Sequence, residues 1–302
     1  MTLTYETVDV FTDTPFGGNP LAVVFGAEAL STEAMQAIAT EFNYSETTFV
    51  LPPKDPANTA QVRIFTPTRE VPFAGHPNVG TATVLAWRGE AFGKPVTESV
   101  RFEEGAGLVP IAILSQDGRP VGAQLTAPQA FRRLDPVPVE DVAACIGLDV
   151  SAIRTDRHAP VGGTVGLEFI LVELADRAAL EAARQVRAEF EARLAGRPVY
   201  DIHCYVRAEP GDSVDIRTRM FAPLDNVEED PATGSANGAL MGLLADLEGA
   251  ADGGIVWRIA QGVEMGRPSL LLGEVDRVGG ETTAIRVGGR CVAMFTGEIA
   301  QP

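Results

Sequence analysis

The sequence predicts a mixed helix-and-strand protein built from two related halves. Three observations carry that prediction. At 302 residues the chain is long for one hydrophobic core, so two domains of about 150 residues are expected. Short runs rich in β-branched and aromatic residues alternate with apolar runs at helical spacing. One pattern also occurs twice. Arg63-Ile64-Phe65-Thr66-Pro67 is followed by a loop, by Gly75-His76-Pro77-Asn78 and by the apolar helix Thr81 to Trp87. Arg219-Met220-Phe221-Ala222-Pro223 is followed by an acidic loop, by Gly234-Ser235-Ala236-Asn237 and by the apolar run Ala239 to Ala245. The offset is 156 residues from Arg63 to Arg219 and 159 from Asn78 to Asn237. The second loop is therefore three residues longer. An offset near half the chain length marks two homologous halves, each with a strand, a loop and a buried helix.

In chain order, Tyr5 to Phe11 and Leu21 to Phe25 read as an antiparallel pair joined by the Gly17-Gly18-Asn19-Pro20 turn. Asn19 has two readings there: a turn residue that tolerates left-handed backbone, or a ligand contact. Ser31 to Phe42 begins with a Ser/Thr cap and reads as one exposed amphipathic helix. Glu46 stands at the mouth of the apolar run Thr48 to Leu51. It is either an exposed strand start or a carboxylate desolvated enough to serve as a general base. Val100 to Phe102, Val109 to Leu114 and Val121 to Leu125 are strand-like. Gly105-Ala106-Gly107 is not followed by a helical pattern, which rejects a dinucleotide fingerprint. Pro128 to Pro138 is the linker candidate, and Val139 to Ile146 and Ala175 to Leu194 read as helices. His203 and Cys204 alternate along a strand to opposite faces, which argues against a shared metal.

A formal net charge of −17 argues against nucleic acid and anionic membrane partners. Cys145, Cys204 and Cys291 form no CxxC, so neither a disulfide framework nor a zinc site is expected, and a reducing cytoplasm suits them. Met1 to Glu6 lacks the regions of a signal peptide, and no apolar run approaches the ~20 residues of a membrane helix. The expectation is a soluble cytoplasmic protein.

The stretch Asp225 to Gly238 places acids beside a Gly-Ser turn that opens a helix. Taken alone it is a helix start with acids suited to the dipole. Paired with Gly75–Asn78 it becomes one wall of an expected two-sided cleft. Two helix N-termini, with Gly75 and Gly234 permitting close approach, suit a small carboxylate even in a strongly acidic protein.

Val8-Asp9-Val10-Phe11-Thr12, Gly18-Asn19-Pro20-Leu21-Ala22-Val23, Ser45-Glu46-Thr47-Thr48-Phe49, Phe73-Ala74-Gly75-His76-Pro77 and Glu229 to Ala236, with the Arg63 motif, together resemble the PhzF-like isomerase family of phenazine biosynthesis. The resemblance spans effectively the whole chain. It implies an α+β, diaminopimelate epimerase-like fold of two pseudo-symmetric domains, each a curled, mostly antiparallel sheet around a central helix. The boundary implied is 1–117, joined by a last strand at about 297–302, and 118–296; a homodimer is also implied. The chemistry implied is cofactor-free proton transfer of the trans-2,3-dihydro-3-hydroxyanthranilate isomerase type. Glu46 matches the shuttling glutamate; His76, Asp230 and Ser235 match the substrate-holding residues, Gly234 supplies backbone N–H, and Asn19 sits in a substrate-contacting turn. Related epimerases use two cysteines, one per half, but His76 and Ser235 stand in those places, which disfavours two-cysteine racemisation. A one-base epimerase or dehydratase on the same fold, and a non-catalytic small-carboxylate binding protein, are the alternatives.

Overall fold

The structure is a computed structural model that describes residues 3–249 and 252–300. The chain divides into two compact units, Met1–Thr126 with Gly288–Pro302, and Ala127–Val287. Six α-helices are present among the described residues: α1 (Thr32–Phe42), α2 (Gly75–Arg88), α3 (Val139–Cys145), α4 (Arg177–Ala182), α5 (Arg187–Arg193) and α6 (Gly234–Glu248). Strands make up most of the remainder.

In the first unit, strand Leu3–Val10 pairs antiparallel with Asn19–Phe25, which lies parallel to Glu46–Leu51. Glu46–Leu51 pairs antiparallel with Ala60–Phe65, and Ala60–Phe65 lies parallel to Ser99–Glu104. Two antiparallel steps follow, to Gly107–Gln116 and then Arg119–Thr126. The long strand Glu281–Ile299 pairs with both Arg119–Thr126 and Leu3–Val10, so the ring closes. A closed sheet leaves no open edge. Eleven of the 14 residues of α2 are buried, and the helix packs against strands from several sides of this ring.

The second unit repeats the succession. Val161–Thr164 pairs antiparallel with Glu168–Glu173, which lies parallel to Ile202–Arg207. Ile216–Ala222 is antiparallel to that strand and parallel to Gly253–Gln261, which pairs antiparallel with Ser269–Val278. Eleven of the 15 residues of α6 are buried. The burial explains the low charge of both apolar helices in the sequence, since an unpaired charge there would face desolvation. A Cβ on Gly242 of α6 would lie 2.4 Å from Phe131 Cγ. Gly242→Ala is therefore expected to lose about 1–3 kcal/mol of unfolding free energy, despite alanine's better helix propensity. Urea titration checks this.

The repeated Arg-x-Phe has a structural cause. Arg63 Nε and Nη2 donate to Glu70 at 2.7 Å each, and Arg219 Nε and Nη2 donate to Glu229 at 2.8 Å each. Each guanidinium also lies near the phenylalanine two residues on, at 5.1 and 5.0 Å from the ring centroid. The fork fastens the strand to the start of the loop that leads to the helix. Its partner stands seven residues on in one copy and ten in the other, which is the three-residue loop difference. Glu229 is thus structural.

Four expectations are corrected. Asp117-Gly118 is not a boundary but the turn of a hairpin, because Arg119–Thr126 returns along Gly107–Gln116; the division falls after Thr126. The last strand joins the first unit from Gly288 rather than about 297, since one continuous strand runs from Glu281 to Ile299. Within the expected linker, Arg132–Pro136 forms a strand against Val161–Thr164. The expected helix over 175–194 is two, because Ala183 adopts ψ 137 and interrupts it.

Candidate functional site

Glu46 opens its strand opposite Leu21, so it stands beside the Asn19-Pro20 start of the neighbouring strand. Its side chain is 19% exposed. His76 is the second residue of α2 and is 5% exposed. Its Nδ1 lies 3.3 Å from Glu46 Oε2. Burial pushes the His76 imidazole down to about 3, and a backbone hydrogen bond at Pro20 only partly opposes that. The contact therefore joins a carboxylate to a neutral ring rather than to a cation. Asn19 is fully buried at the strand start, opposite Val10, not at the turn apex. The structure thus brings Asn19, Glu46, Gly75 and His76 to one place in the first unit.

A neutral imidazole does not hold a neighbouring carboxylate as a fixed ion pair, and it can donate through one nitrogen while accepting on the other. The His76 ring is expected to stay uncharged across pH 5–8, read as absence of a titrating ring signal in NMR. Because its folded value lies below the ordinary 6.5, its stabilising share is complete above about 6.5 and is lost as pH falls toward 3.

In the second unit the candidates gather at the start of α6. Asp230 ends the short strand Val227–Asp230 and is 9% exposed. Its Oδ2 accepts from Thr233 Oγ1 at 2.6 Å. Gly234 is buried and Ser235, half-buried, follows it in the first helical turn. Neither α2 nor α6 has a side-chain cap at its N-terminus, so first-turn N–H groups remain for other acceptors. Tyr200 donates to Asp225 at 3.4 Å.

Sequence reasoning missed a buried network under this turn. Gln261 Oε1 accepts from Thr233 N at 3.1 Å and from Asn237 Nδ2 at 2.8 Å, while its Nε2 donates to the Asp230 carbonyl and to Thr233 Oγ1. Asn237 Oδ1 also meets His203 Nε2 at 3.2 Å. Asn237 was visible in the Gly-x-x-Asn pattern, but Gln261, 28 residues from Thr233, left no local signal. His203 is buried, as a core histidine, and desolvation lowers it to about 4. All three cysteines are buried and free, and burial pushes their thiols up to about 12. None is poised as a thiolate. Among the described residues no cluster of three or more His, Cys, Asp and Glu is arranged to hold a metal ion, and no helix is long and apolar enough to cross a membrane.

The chain matches the family described as phenazine biosynthesis-like protein, PhzC-PhzF, over residues 8–297. It is 37% identical to an uncharacterized isomerase of Mesorhizobium japonicum, over 99% of both chains. It is 36% identical to the trans-2,3-dihydro-3-hydroxyanthranilate isomerase of Pseudomonas aeruginosa, over 97% of this chain and 98% of that one. The crystal structure of a PhzF-family phenazine biosynthesis protein from Bacillus anthracis superposes with a TM-score of 0.89 at 27% identity, covering both chains fully. The sheet-rich, barrel-like architecture with few helices is that fold, and full-length relatives named as isomerases mark this chain as an enzyme of the isomerase class. With its sequence matched from residue 8 to residue 297, the chain belongs to the phenazine biosynthesis-like (PhzC-PhzF) family.

Proposed function

We propose that this isomerase moves a proton within a small amino- or hydroxy-carboxylate without a cofactor, with Glu46 as the acid/base. The carrying observation is the approach of Glu46 Oε2 to within 3.3 Å of His76 Nδ1, on a ring that burial keeps neutral. A neutral imidazole beside the carboxylate holds a substrate hydroxyl or amine without competing for the proton. The relative from Pseudomonas aeruginosa, named for an isomerisation of a hydroxy-amino-carboxylate, supports the substrate class.

In this reading Gly234 N–H and Ser235 anchor the substrate carboxylate at the start of α6, where the helix dipole favours an anion. Asp230, whose Oδ2 accepts from Thr233, turns its carboxylate to a substrate amine. Gly75 allows close approach at α2, and Asn19 orients the substrate. The two units serve as epimerase-like halves, each sheet curled about its buried helix; matching strand pairings and eleven buried residues in each helix support this.

The test is incubation of trans-2,3-dihydro-3-hydroxyanthranilate with the enzyme in deuterated buffer. Isomerisation by wild type and its loss in Glu46→Gln are expected. Binding of the compound with neither isomerisation nor exchange of carbon-bound hydrogen overturns the reading in favour of a binding protein, and racemised or dehydrated product overturns it in favour of the other chemistries.

A further inference from the structure

The two units differ in the buried groups beneath their helix-opening turns. Gln261 stands opposite Thr218 in the parallel pair of the second unit, and Thr218 precedes Arg219. In the first unit the parallel pair ends with Gln61 opposite Glu103, and one step on, Glu104 stands beside Val62, which precedes Arg63. Glu104 is therefore the counterpart of Gln261, as Asn78 is of Asn237. Asn78 is fully buried, both Glu104 carboxyl oxygens are buried, and neither these nor the Asn78 amide atoms close an aligned hydrogen bond. Thr48 holds the place of His203, since it pairs with Ile64 as His203 pairs with Met220, and its short side chain meets Thr81 Oγ1 rather than serving Asn78 as His203 serves Asn237.

Gln261 both donates and accepts in its network. A carboxylate only accepts, whereas a protonated carboxyl does both, as an amide does. Burial acts the same way: it pushes Glu104 up to about 8, with the nearby Asn78 amide opposing less strongly. The ionisable groups on the elements around it are Glu46, Arg63, Glu70, His76, Arg101 and Glu103. Arg63 is taken by Glu70. Arg101 and Glu103 alternate to the opposite strand face, where Glu103 accepts from Lys54 N, Asp55 N and Asn58. None supplies Glu104 with a counter-charge.

The hairpin that carries Glu104 also grips the candidate catalytic loop. Ala106 N donates to the Pro72 carbonyl at 3.0 Å, and Asn78 lies in the first turn of α2, two residues after His76. We propose that Glu104 is a positioning residue that works as a protonated stand-in for glutamine, bonding Asn78 in both directions and so fixing the α2 turn that presents His76.

The variant Glu104→Gln tests this through two readouts. A carboxyl raised in the folded state stabilises fully below its ordinary 4.5 and loses that share as pH rises to about 8. The unfolding constant of wild type relative to Glu104→Gln is therefore expected to rise about tenfold per pH unit across that window. A flat ratio overturns the proposal. The reciprocal Gln261→Glu should introduce the same slope, and it keeps the test alive if the first variant folds poorly; no slope there also counts against the proposal. The second readout rests on the isomerase reading: with trans-2,3-dihydro-3-hydroxyanthranilate, Glu104→Gln should retain turnover below pH 7 and lose the alkaline fall near pH 8. An alkaline fall unchanged in Glu104→Gln overturns the positioning role. If neither protein turns the compound over, the isomerase reading fails, and the stability slope still decides the state of Glu104.

Discussion

Glu46→Gln is expected to lower turnover by roughly 10²–10⁴-fold, the range a positioned general acid/base contributes. That corresponds to about 3–5 kcal/mol of barrier. The substitution keeps the size and hydrogen-bonding reach of the side chain while removing its basicity. KM is therefore expected to change far less than kcat, the pattern of an interaction made in the transition state. His76 stands 3.3 Å away and is already neutral, so removing the carboxylate charge leaves no stranded cation, and the variant should unfold near the wild-type midpoint. A fall in kcat with unchanged stability supports the base assignment; undiminished turnover moves the proton to another group.

The largest stability effect is expected at Arg219→Ala. Its pair with Glu229 is enclosed, at 8% and 14% side-chain exposure, against 20% and 39% for Arg63 and Glu70. Arg219 Nη1 also donates to the carbonyls of Leu180, Glu181 and Ala183, tying the end of α4 to the strand beneath. Its removal leaves a largely enclosed carboxylate and several acceptors without their donor, which costs about 3–5 kcal/mol. For a unit of this size the melting temperature should fall on the order of 10 °C. Arg63→Ala removes the same motif from a wetter site and should cost only about 0–1 kcal/mol for the ion pair itself. Thermal denaturation of the two variants side by side checks the contrast; equal losses would mean that burial does not set the difference.

The repeat was legible because its signals lie close together in the chain: Arg-x-Phe, Gly-x-x-Asn and an apolar helix. What that repeat does mechanically was not legible, because each arginine's acid stands across a loop of different length. Glu46 and His76 were singled out through family resemblance, and their contact was not legible, since 30 residues and two intervening strands separate the pair. The network around Gln261 escaped for the same reason: a lone glutamine at a strand end looks like any other. The division between units was misplaced because an Asp-Gly turn reads identically within a hairpin and between domains.

The continuous strand from Glu281 to Ile299 has a consequence for biosynthesis. Residues 127–287 form an uninterrupted segment, so the second unit needs no residue synthesised after it to complete its contacts. The first unit, although synthesised earlier, must hold its ring open until the stretch after Gly288 arrives to pair with Leu3–Val10. The half carrying Glu46 and His76 is thus the one that waits for the last strand, and a chain cut short before Gly288 leaves its ring open.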